Sequence, residues 1–129
     1  MDDRYSRQVL FPGIGKEGQE KIRTKHVLMI GAGALGSGNA EILTRAGVGR
    51  LTIVDRDYVE ASNLQRQQLY TEEDVAEKLP KAAAAEKRLR AINSNVEITS
   101  IIADATPAFL EDLVKDVDII IDATDNFET

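Results

Sequence analysis

The sequence contains no cysteine, and this absence excludes a disulfide scaffold, a thiolate metal site and a thiol nucleophile within its 129 residues. It has no apolar run approaching the ~18 residues that cross a bilayer, and no basic n-region with an apolar h-region opens the chain. Basic residues are the minority, with 16 Lys and Arg against 22 Asp and Glu. The net charge of −6 argues against a nucleic-acid or anionic-membrane surface, so we expect neither partner and a cytoplasmic location.

Two stretches share the pattern G-x-G-x-x-G, which by itself is a weak signal for a phosphate-binding turn. GIGKEG, from Gly13 to Gly18, follows Phe11-Pro12, and proline with glycine marks a turn rather than the end of a central strand. We therefore expect a turn and a short surface helix there, without a role in binding phosphate.

GAGALG, from Gly31 to Gly36, has the context that a nucleotide-binding turn requires. The apolar run Val27–Ile30 predicts a buried strand before it, and a helical pattern follows from Ala34 to Ala46. Glycines then end this helix, and we expect its inward positions to be Leu35, Ile42, Leu43 and Ala46.

An acidic residue stands where a nucleotide ribose would be bound. The run Leu51–Val54 predicts a second buried strand, and it ends on Asp55. Asp55 lies about 20 residues beyond the glycines, the spacing at which an acid contacts the ribose hydroxyls in dinucleotide-binding folds. A plain strand–helix–strand unit without a ligand is the alternative.

The rest of the chain continues to alternate helices and strands, and 43% hydrophobic residues suffice for a core. We predict a helix over Lys81–Ile92 behind Pro80, a strand over Val96–Ile102, a helix from Thr106-Pro107 to Val114, and a buried strand over Asp118–Asp122. This alternation predicts an α/β, Rossmann-like fold: a mainly parallel sheet with helices on both faces and the strand order 3-2-1-4. GAGALG and the segment from Ala123 to Asn126 would then face each other across one crevice.

The predicted organisation has two parts. We expect a helical arm over residues 1–25, ahead of the folded core, and a nucleotide-binding domain over residues 26–129. The chain stops just beyond the fourth strand, and no helix follows to cover it. We therefore expect the first four strands of a larger sheet, truncated at the C-terminus, with the fourth strand half-covered at an edge.

Charge helps to choose between nucleotides. A dinucleotide pyrophosphate carries about two negative charges and a triphosphate about four, so triphosphate sites add cations and Mg²⁺ to the helix N-terminus. No P-loop motif occurs. Candidate cations stand in Ser62–Gln67, at Lys81 and at Arg7, and Asp125 could hold Mg²⁺. Taken singly, each cation has a solvated surface residue as its alternative, and Asp125 a helix N-cap.

Taken together and in order, these motifs resemble one family. RYSRQ, GAGALG, Asp55, SNLQRQ, Pro80-Lys81 and DATDN look like the enzymes that activate ubiquitin-like proteins, including the MoeB and ThiF type of sulfur-carrier adenylyltransferase. The resemblance runs from about Arg4 to the end of the chain. SNLQRQ and DATDN discriminate far better than a glycine motif does.

The resemblance implies a role for each matching residue. GAGALG and Asp55 would hold the adenosine end, Asn63, Arg66 and Lys81 would contact phosphates, and Asp125 would coordinate Mg²⁺. Arg7 would reach the triphosphate of a neighbouring subunit, which implies a homodimer. The implied catalytic residues are Arg66, Lys81 and Arg7, and the implied nucleotide-binding set is Gly31, Gly33, Ala34, Gly36, Asp55, Ser62, Asn63, Leu64, Gln65, Arg66, Lys81, Asp125 and Asn126. Ala34 is a departure, because many members of the family have glycine there.

The implied reaction adenylates the C-terminal glycine carboxylate of a ubiquitin-like sulfur-carrier protein with ATP and releases pyrophosphate. A terminal carboxylate, with a pKa of about 3.5, is already ionised and needs no general base. We accordingly interpret the only histidine, His26, as a boundary residue before the first strand. The zinc-binding Cys-x-x-Cys pairs and the reactive cysteine of the family are expected beyond this chain, and the chain alone is expected to turn over weakly or not at all.

Three alternatives remain open at this stage. An NAD-dependent dehydrogenase domain explains GAGALG and Asp55, but it leaves Arg66, Lys81 and DATDN without a function. A non-catalytic partner subunit would keep the fold and lose the nucleotide residues, which are present here. An isolated binding or scaffold module is the third.

Overall fold

The computed structural model describes residues 3–31, 33–57, 70–103 and 106–123, which form an alternating series of helices and parallel strands. After a short 3-10 turn at Asp3–Tyr5, the helices are α1 (Ser6–Leu10), α2 (Gly15–Arg23), α3 (Ala34–Ala46), α4 (Glu72–Ala76), α5 (Lys81–Ile92) and α6 (Pro107–Leu113). The strands are β1 (His26–Ile30), β2 (Arg50–Val54), β3 (Glu97–Ile101) and β4 (Ile119–Asp122). No described helix is long and apolar enough to cross a membrane.

The four strands form one parallel sheet in the order β3-β2-β1-β4, as the sequence predicts. β1 lies inside the sheet, where Leu28 and Met29 are completely buried. Ile30 is in register with Val54 on one side and with Asp122 on the other. The carboxyl ends of β1, β2 and β4 therefore meet at one edge of the sheet.

Helices cover both faces of the sheet, which confirms the predicted fold class. Alternate residues of β1 point to opposite sides: Val27 and Met29 join the core formed with α3 and α5, while Leu28 and Ile30 join the core formed with α6. A parallel strand that is buried on both faces has a continuous apolar sequence for this reason.

Two predictions about burial are wrong. Ile42 was expected to face inward, but it is 66% exposed, whereas Ala40 and Thr44 of the same helix are buried. Because successive helical residues are about 100° apart, Ile42 lies on the far side of the helix from Ala40. The fourth strand was expected to be buried, but Ile119 and Ile120 are about half exposed because β4 is an edge strand. Their exposure confirms the separate expectation that this strand is half-covered at an edge. The predicted inward position of Leu35 lies outside what the structure describes.

The N-terminal segment packs into the fold instead of standing ahead of it. Tyr5 is 7% exposed, and its ring lies against Gly47, the residue that ends α3. Gly47 has φ +90°, and a methyl group there would lie 2.6 Å from the tyrosine ring. Glycine at this position therefore ends the helix in the left-handed conformation and also makes room for the tyrosine. The boundary between an arm and a domain at residue 25 remains a prediction.

The outer edge of β3 is covered by two side chains of α5. Glu86 Oε1 accepts hydrogen bonds from the backbone N and the Oγ of Ser100, both at 2.9 Å. One helical turn further on, Arg90 Nη2 donates to the carbonyl oxygen of Ile98 at 3.0 Å, and Arg90 Nε lies 3.2 Å from Glu86 Oε2. The ion pair therefore binds backbone groups that no neighbouring strand pairs with.

Two glycines of α3 provide a matched test of its packing. A methyl group on Gly36 would lie 2.3 Å from the carbonyl oxygen of Gly31, whereas one on Gly38 would meet no atom within 4 Å. We expect Gly36→Ala to lower the free energy of unfolding by about 1–3 kcal/mol, because the helix must move away from the turn. Gly38→Ala should raise it by about 0.5–1 kcal/mol through helix propensity. Urea titrations followed by circular dichroism measure both, and equal shifts of the two midpoints would refute this packing.

Candidate functional site

The GAGALG turn lies at the edge where three strands end. The backbone N of Gly31 donates to the carbonyl oxygen of Val54 at 2.8 Å, and that of Ala123 donates to Ile30 at 2.8 Å. Gly31 has φ +95°, a conformation that favours glycine, and it turns the chain out of β1 toward α3. Gly33 is the N-cap of α3, and no side chain among the described residues caps this helix. Its first N–H groups therefore remain available for an anion.

Close packing at Gly36 holds α3 against this turn and against the end of β4. Besides the contact with Gly31, a methyl group on Gly36 would lie 3.3 Å from the Cβ of Ala123. GAGALG and the start of the segment after β4 thus meet as predicted. Residues 124–126 of that segment, with the candidates Asp125 and Asn126, lie outside the described residues.

Asp55 follows β2 directly and connects the end of that strand to the start of α5. Its backbone N donates to the carbonyl oxygen of Ile101 at 3.1 Å, and its Oδ1 accepts from the backbone N of Asp57 at 2.7 Å. The carbonyl oxygen of Asp57 in turn accepts from the backbone N of Lys81 at 2.7 Å. This short chain of hydrogen bonds brings Lys81 to the same edge of the sheet as Asp55.

Lys81 is the one buried cation among the described residues, with 8% of its surface exposed. It is the first residue of α5, whose N-cap, Pro80, contributes no side-chain hydrogen bond. Within the described ranges, no carboxylate pairs with its ammonium group. A positive charge in the first turn of a helix is unfavourable for the helix dipole. An anion bound at this position would offset that interaction.

Asp57 is a connecting residue that the sequence analysis missed. Asp57 binds Lys81 through its backbone carbonyl group, and a pattern of side-chain types cannot identify such a contact. The only available signal was the Asp-x-Asp spacing after a predicted strand, since an aspartate commonly accepts a hydrogen bond from the backbone two residues further on.

The segment expected to supply further phosphate contacts lies outside the described residues. It contains Ser62, Asn63, Leu64, Gln65 and Arg66, and it follows Asp57 in the sequence. It ends before Tyr70, which is 5% exposed and belongs to the core beneath α3 and α5. The side chain of Ala34 is likewise not described. The structure thus brings together the glycine turn, Asp55 and Lys81, and leaves the remaining site residues as predictions.

Arg7 lies far from the crevice of its own chain. It is exposed on α1, and the neighbouring Gln8 donates through Nε2 to the carbonyl oxygen of Ala46 at 3.1 Å. Ala46 is the last residue of α3, and Ala34 at the glycine turn is the first. At a rise of about 1.5 Å per residue, this helix separates its two ends by roughly 18 Å, a distance much longer than an arginine side chain.

The predictions about the local structure at His26 and at GIGKEG agree with the structure. His26 begins β1 at the opposite edge of the sheet, where Nδ1 lies 3.0 Å from the carbonyl oxygen of Asp116 and Nε2 lies 2.7 Å from Thr52 Oγ1. It is a boundary residue, as expected. GIGKEG forms a turn and the start of α2, and a helix rather than a strand precedes it.

Comparison with known proteins agrees with this geometry. The chain is 59% identical over 129 residues to a sulfur carrier protein ThiS adenylyltransferase of Bacillus subtilis, covering 100% of this chain and 38% of the relative. It is 45% identical over 127 residues to a sulfur carrier protein adenylyltransferase of Thermus thermophilus, covering 98% and 46%. The chain thus spans less than half the length of these curated relatives.

A solved structure with a similar fold contains a nucleotide. The E. coli tRNA N6-threonylcarbamoyladenosine dehydratase in complex with ATP superimposes with a TM-score of 0.87 at 28% identity, over 96% of this chain and 50% of that one. Residues 5–129 also match the sequence model of the ThiF family. The chain therefore belongs to the ThiF family.

Proposed function

We propose that this chain is the ATP-binding part of a cytoplasmic adenylyltransferase. The enzyme transfers AMP from ATP to the C-terminal glycine carboxylate of a ubiquitin-like sulfur carrier and releases pyrophosphate. The two curated relatives described above, at 59% and 45% identity, are named for this activity. Because the relative with 59% identity acts on ThiS, a ThiS-type protein is the proposed carrier.

One observation carries the choice of ATP over a dinucleotide. Lys81 is buried beside the end of β2 without an anionic partner among the described residues. A helix N-terminus alone largely accommodates the two charges of a dinucleotide, whereas the four charges of a triphosphate call for added cations. The NAD-dependent alternative does not call for a further cation at this position.

The described residues fit an adenine nucleotide. The first turn of α3 offers uncapped N–H groups to phosphate, and Gly36 permits close approach of helix and turn. In the proposal, GAGALG and Asp55 hold the adenosine end. Lys81, Asn63 and Arg66 contact the phosphates, and Ser62, Leu64, Gln65 and Asn126 complete the lining.

The reaction requires positioning and charge neutralisation rather than proton transfer. The carrier carboxylate, with a pKa of about 3.5, is ionised near neutral pH, and one of its oxygens forms a bond to the α-phosphorus. The bond between the α-phosphorus and the bridging oxygen breaks, and pyrophosphate leaves with the electron pair. Lys81, Arg66 and Arg7 neutralise the charge that develops on the leaving group. Asp125 would hold Mg²⁺, which when bound neutralises further phosphate charge.

The proposal includes a homodimer in which Arg7 acts on the triphosphate of the neighbouring subunit. The length of α3 between Arg7 and the glycine turn supports action on another subunit. Beside Arg7, Leu10 and Phe11 are 80% and 60% exposed, and such apolar residues suit a surface that a second copy covers.

The role of Lys81 is tested with a lysine on the same helix. Lys87 is 58% exposed and lies 4.0 Å from Glu77, so Lys87→Met removes a charge from α5 without touching the crevice. We expect Lys81→Met to lower ATP–pyrophosphate exchange by about 10²-fold or more in the full-length protein with ThiS as acceptor, because the phosphates lose a positioned cation. Lys87→Met should remain within about twofold, since exposed ion pairs contribute little.

Calorimetric titration of wild-type protein with ATP·Mg²⁺ and with NAD accompanies this test. Tight binding of NAD with none of ATP would overturn the proposed function. Near-normal exchange by Lys81→Met would remove Lys81 from the site.

The residues assigned by resemblance are tested in the same assay. We expect Arg66→Ala and Asp125→Ala each to lower pyrophosphate exchange by about 10²-fold, because each removes a charge contact to the phosphates or to Mg²⁺. Circular dichroism verifies that both variants fold. Near-normal exchange by either folded variant would show that its assigned role is wrong.

The action of Arg7 on the other subunit is tested by complementation. Arg7→Ala and Lys81→Met homodimers should both be nearly inactive. A heterodimer of the two, purified through two affinity tags, should recover about half of wild-type exchange, because one of its two symmetry-related sites combines an intact crevice with an intact Arg7. No recovery would place Arg7 on its own subunit or outside the site.

A further inference from the structure

Asn93 joins the N-terminal segment to the ends of two helices. It is 1% exposed and follows α5 directly. Its Nδ2 donates to the hydroxyl of Tyr5 at 2.7 Å and to the carbonyl oxygen of Thr44 in α3 at 2.8 Å. Its Oδ1 accepts from Arg4 Nη1 and from the backbone N of Asn95. Both N–H donors and the acceptor oxygen of this buried amide are therefore hydrogen-bonded.

Two glutamine amides, one half-buried and one buried, fix the other side of Arg7. Gln8 Nε2 donates to Gln19 Oε1 at 2.6 Å and to the carbonyl oxygen of Ala46 at 3.1 Å. Gln19, 4% exposed, donates through Nε2 to the same carbonyl at 3.1 Å. The end of α3 thus holds α1 through Gln8, and it holds the preceding turn through Tyr5.

Arg7 lies between these two anchors and is itself exposed. α1 has only five residues, which is too short for a helix to be stable by its own hydrogen bonds. Its orientation therefore depends on the contacts that flank Arg7. The direction in which α1 presents the exposed Arg7 side chain therefore depends on those contacts.

We propose that Tyr5 and Asn93 are positioning residues that direct Arg7 toward the triphosphate bound by the neighbouring subunit. This inference rests on the proposed function, in which Arg7 acts on the other subunit. Neither residue touches the nucleotide of its own chain, because both lie at the end of α3 opposite to the glycine turn.

Tyr5→Phe is the central variant because it removes one hydroxyl and retains the ring that packs on Gly47. Asn93 keeps its hydrogen bond to Thr44 in this variant, so we expect Tyr5→Phe to fold. Asn93→Ala would remove that bond as well, and Tyr5→Phe tests the role even if Asn93→Ala does not fold. We expect Tyr5→Phe to lower pyrophosphate exchange by about tenfold, because displacement of a phosphate contact by about 1 Å costs up to 10²-fold.

Thr52→Val is the matched control. It removes the hydroxyl of a residue that is 5% exposed, and with it one hydrogen bond to His26, at the edge of the sheet opposite to the crevice. Tyr5→Phe removes the bond from Asn93 and a longer one from Asn95 Nδ2 at 3.3 Å. Both variants should lower the unfolding midpoint in urea by similar amounts. Exchange by Thr52→Val should remain within about twofold of wild type, since the lost bond contacts neither Arg7 nor the crevice. Equal loss of exchange in the two variants would overturn the positioning role.

Two heterodimers locate the defect. In the first, one subunit carries Tyr5→Phe and the other carries Lys81→Met, so the intact crevice receives an unaltered Arg7 segment. In the second, both substitutions are on one subunit and its partner is wild type, so the intact crevice receives the altered segment. We expect about half of wild-type exchange from the first and about tenfold less than that from the second.

A merely structural role predicts the reverse order, because damage would then stay in the subunit that carries Tyr5→Phe. That order would refute the inference. Failure of the Arg7→Ala and Lys81→Met heterodimer to recover would instead refute the action of Arg7 between subunits. Tyr5→Phe added to Arg7→Ala should cause no further loss, and a further tenfold loss would also refute the inference.

Discussion

The candidate site depends on the close approach of α3 to the turn that follows β1. Gly36 packs against the Gly31 carbonyl and Ala123, so one contact fixes the glycine turn, the N-terminus of α3 and the end of β4 relative to each other. The parallel register then brings the end of β2, with Asp55, to the same edge. A side chain at position 36 would separate these parts even if every strand still formed.

Electrostatics at the same edge favours an anionic ligand. Lys81 is 8% exposed at the start of a helix, where the helix dipole disfavours a positive charge. The backbone bond from Lys81 to Asp57 keeps it there. Any anion that relieves this unfavourable charge binds the folded state in preference to the unfolded one, so that ligand affinity and conformational stability are linked.

Local patterns predicted much of the fold, and contacts distant in sequence account for the rest. The apolar run before GAGALG, the acid after β2 and the helix Lys81–Ile92 are visible in short windows, and the strand order follows from their alternation. The burial of Tyr5 was missed because it depends on Asn93, 88 positions away. The exposure of Ile42 was missed because the sequence does not show which side of α3 faces the sheet. α4 was missed as well, although the capping box at Thr71 and Asp74 is a readable local signal. Arg66, Asp125 and their neighbours stay predictions from the sequence.

The ion pair of Glu86 and Arg90 determines at which edge of the sheet a further strand can pair. Because these side chains occupy the outward N–H of Ser100 and carbonyl of Ile98, a fifth strand cannot hydrogen-bond along β3 without displacing them. Two isoleucines of β4, Ile119 and Ile120, are by contrast about half exposed. Any extension of this sheet, by the same polypeptide or by another, is therefore directed to the β4 side, next to the crevice where the nucleotide is proposed to bind.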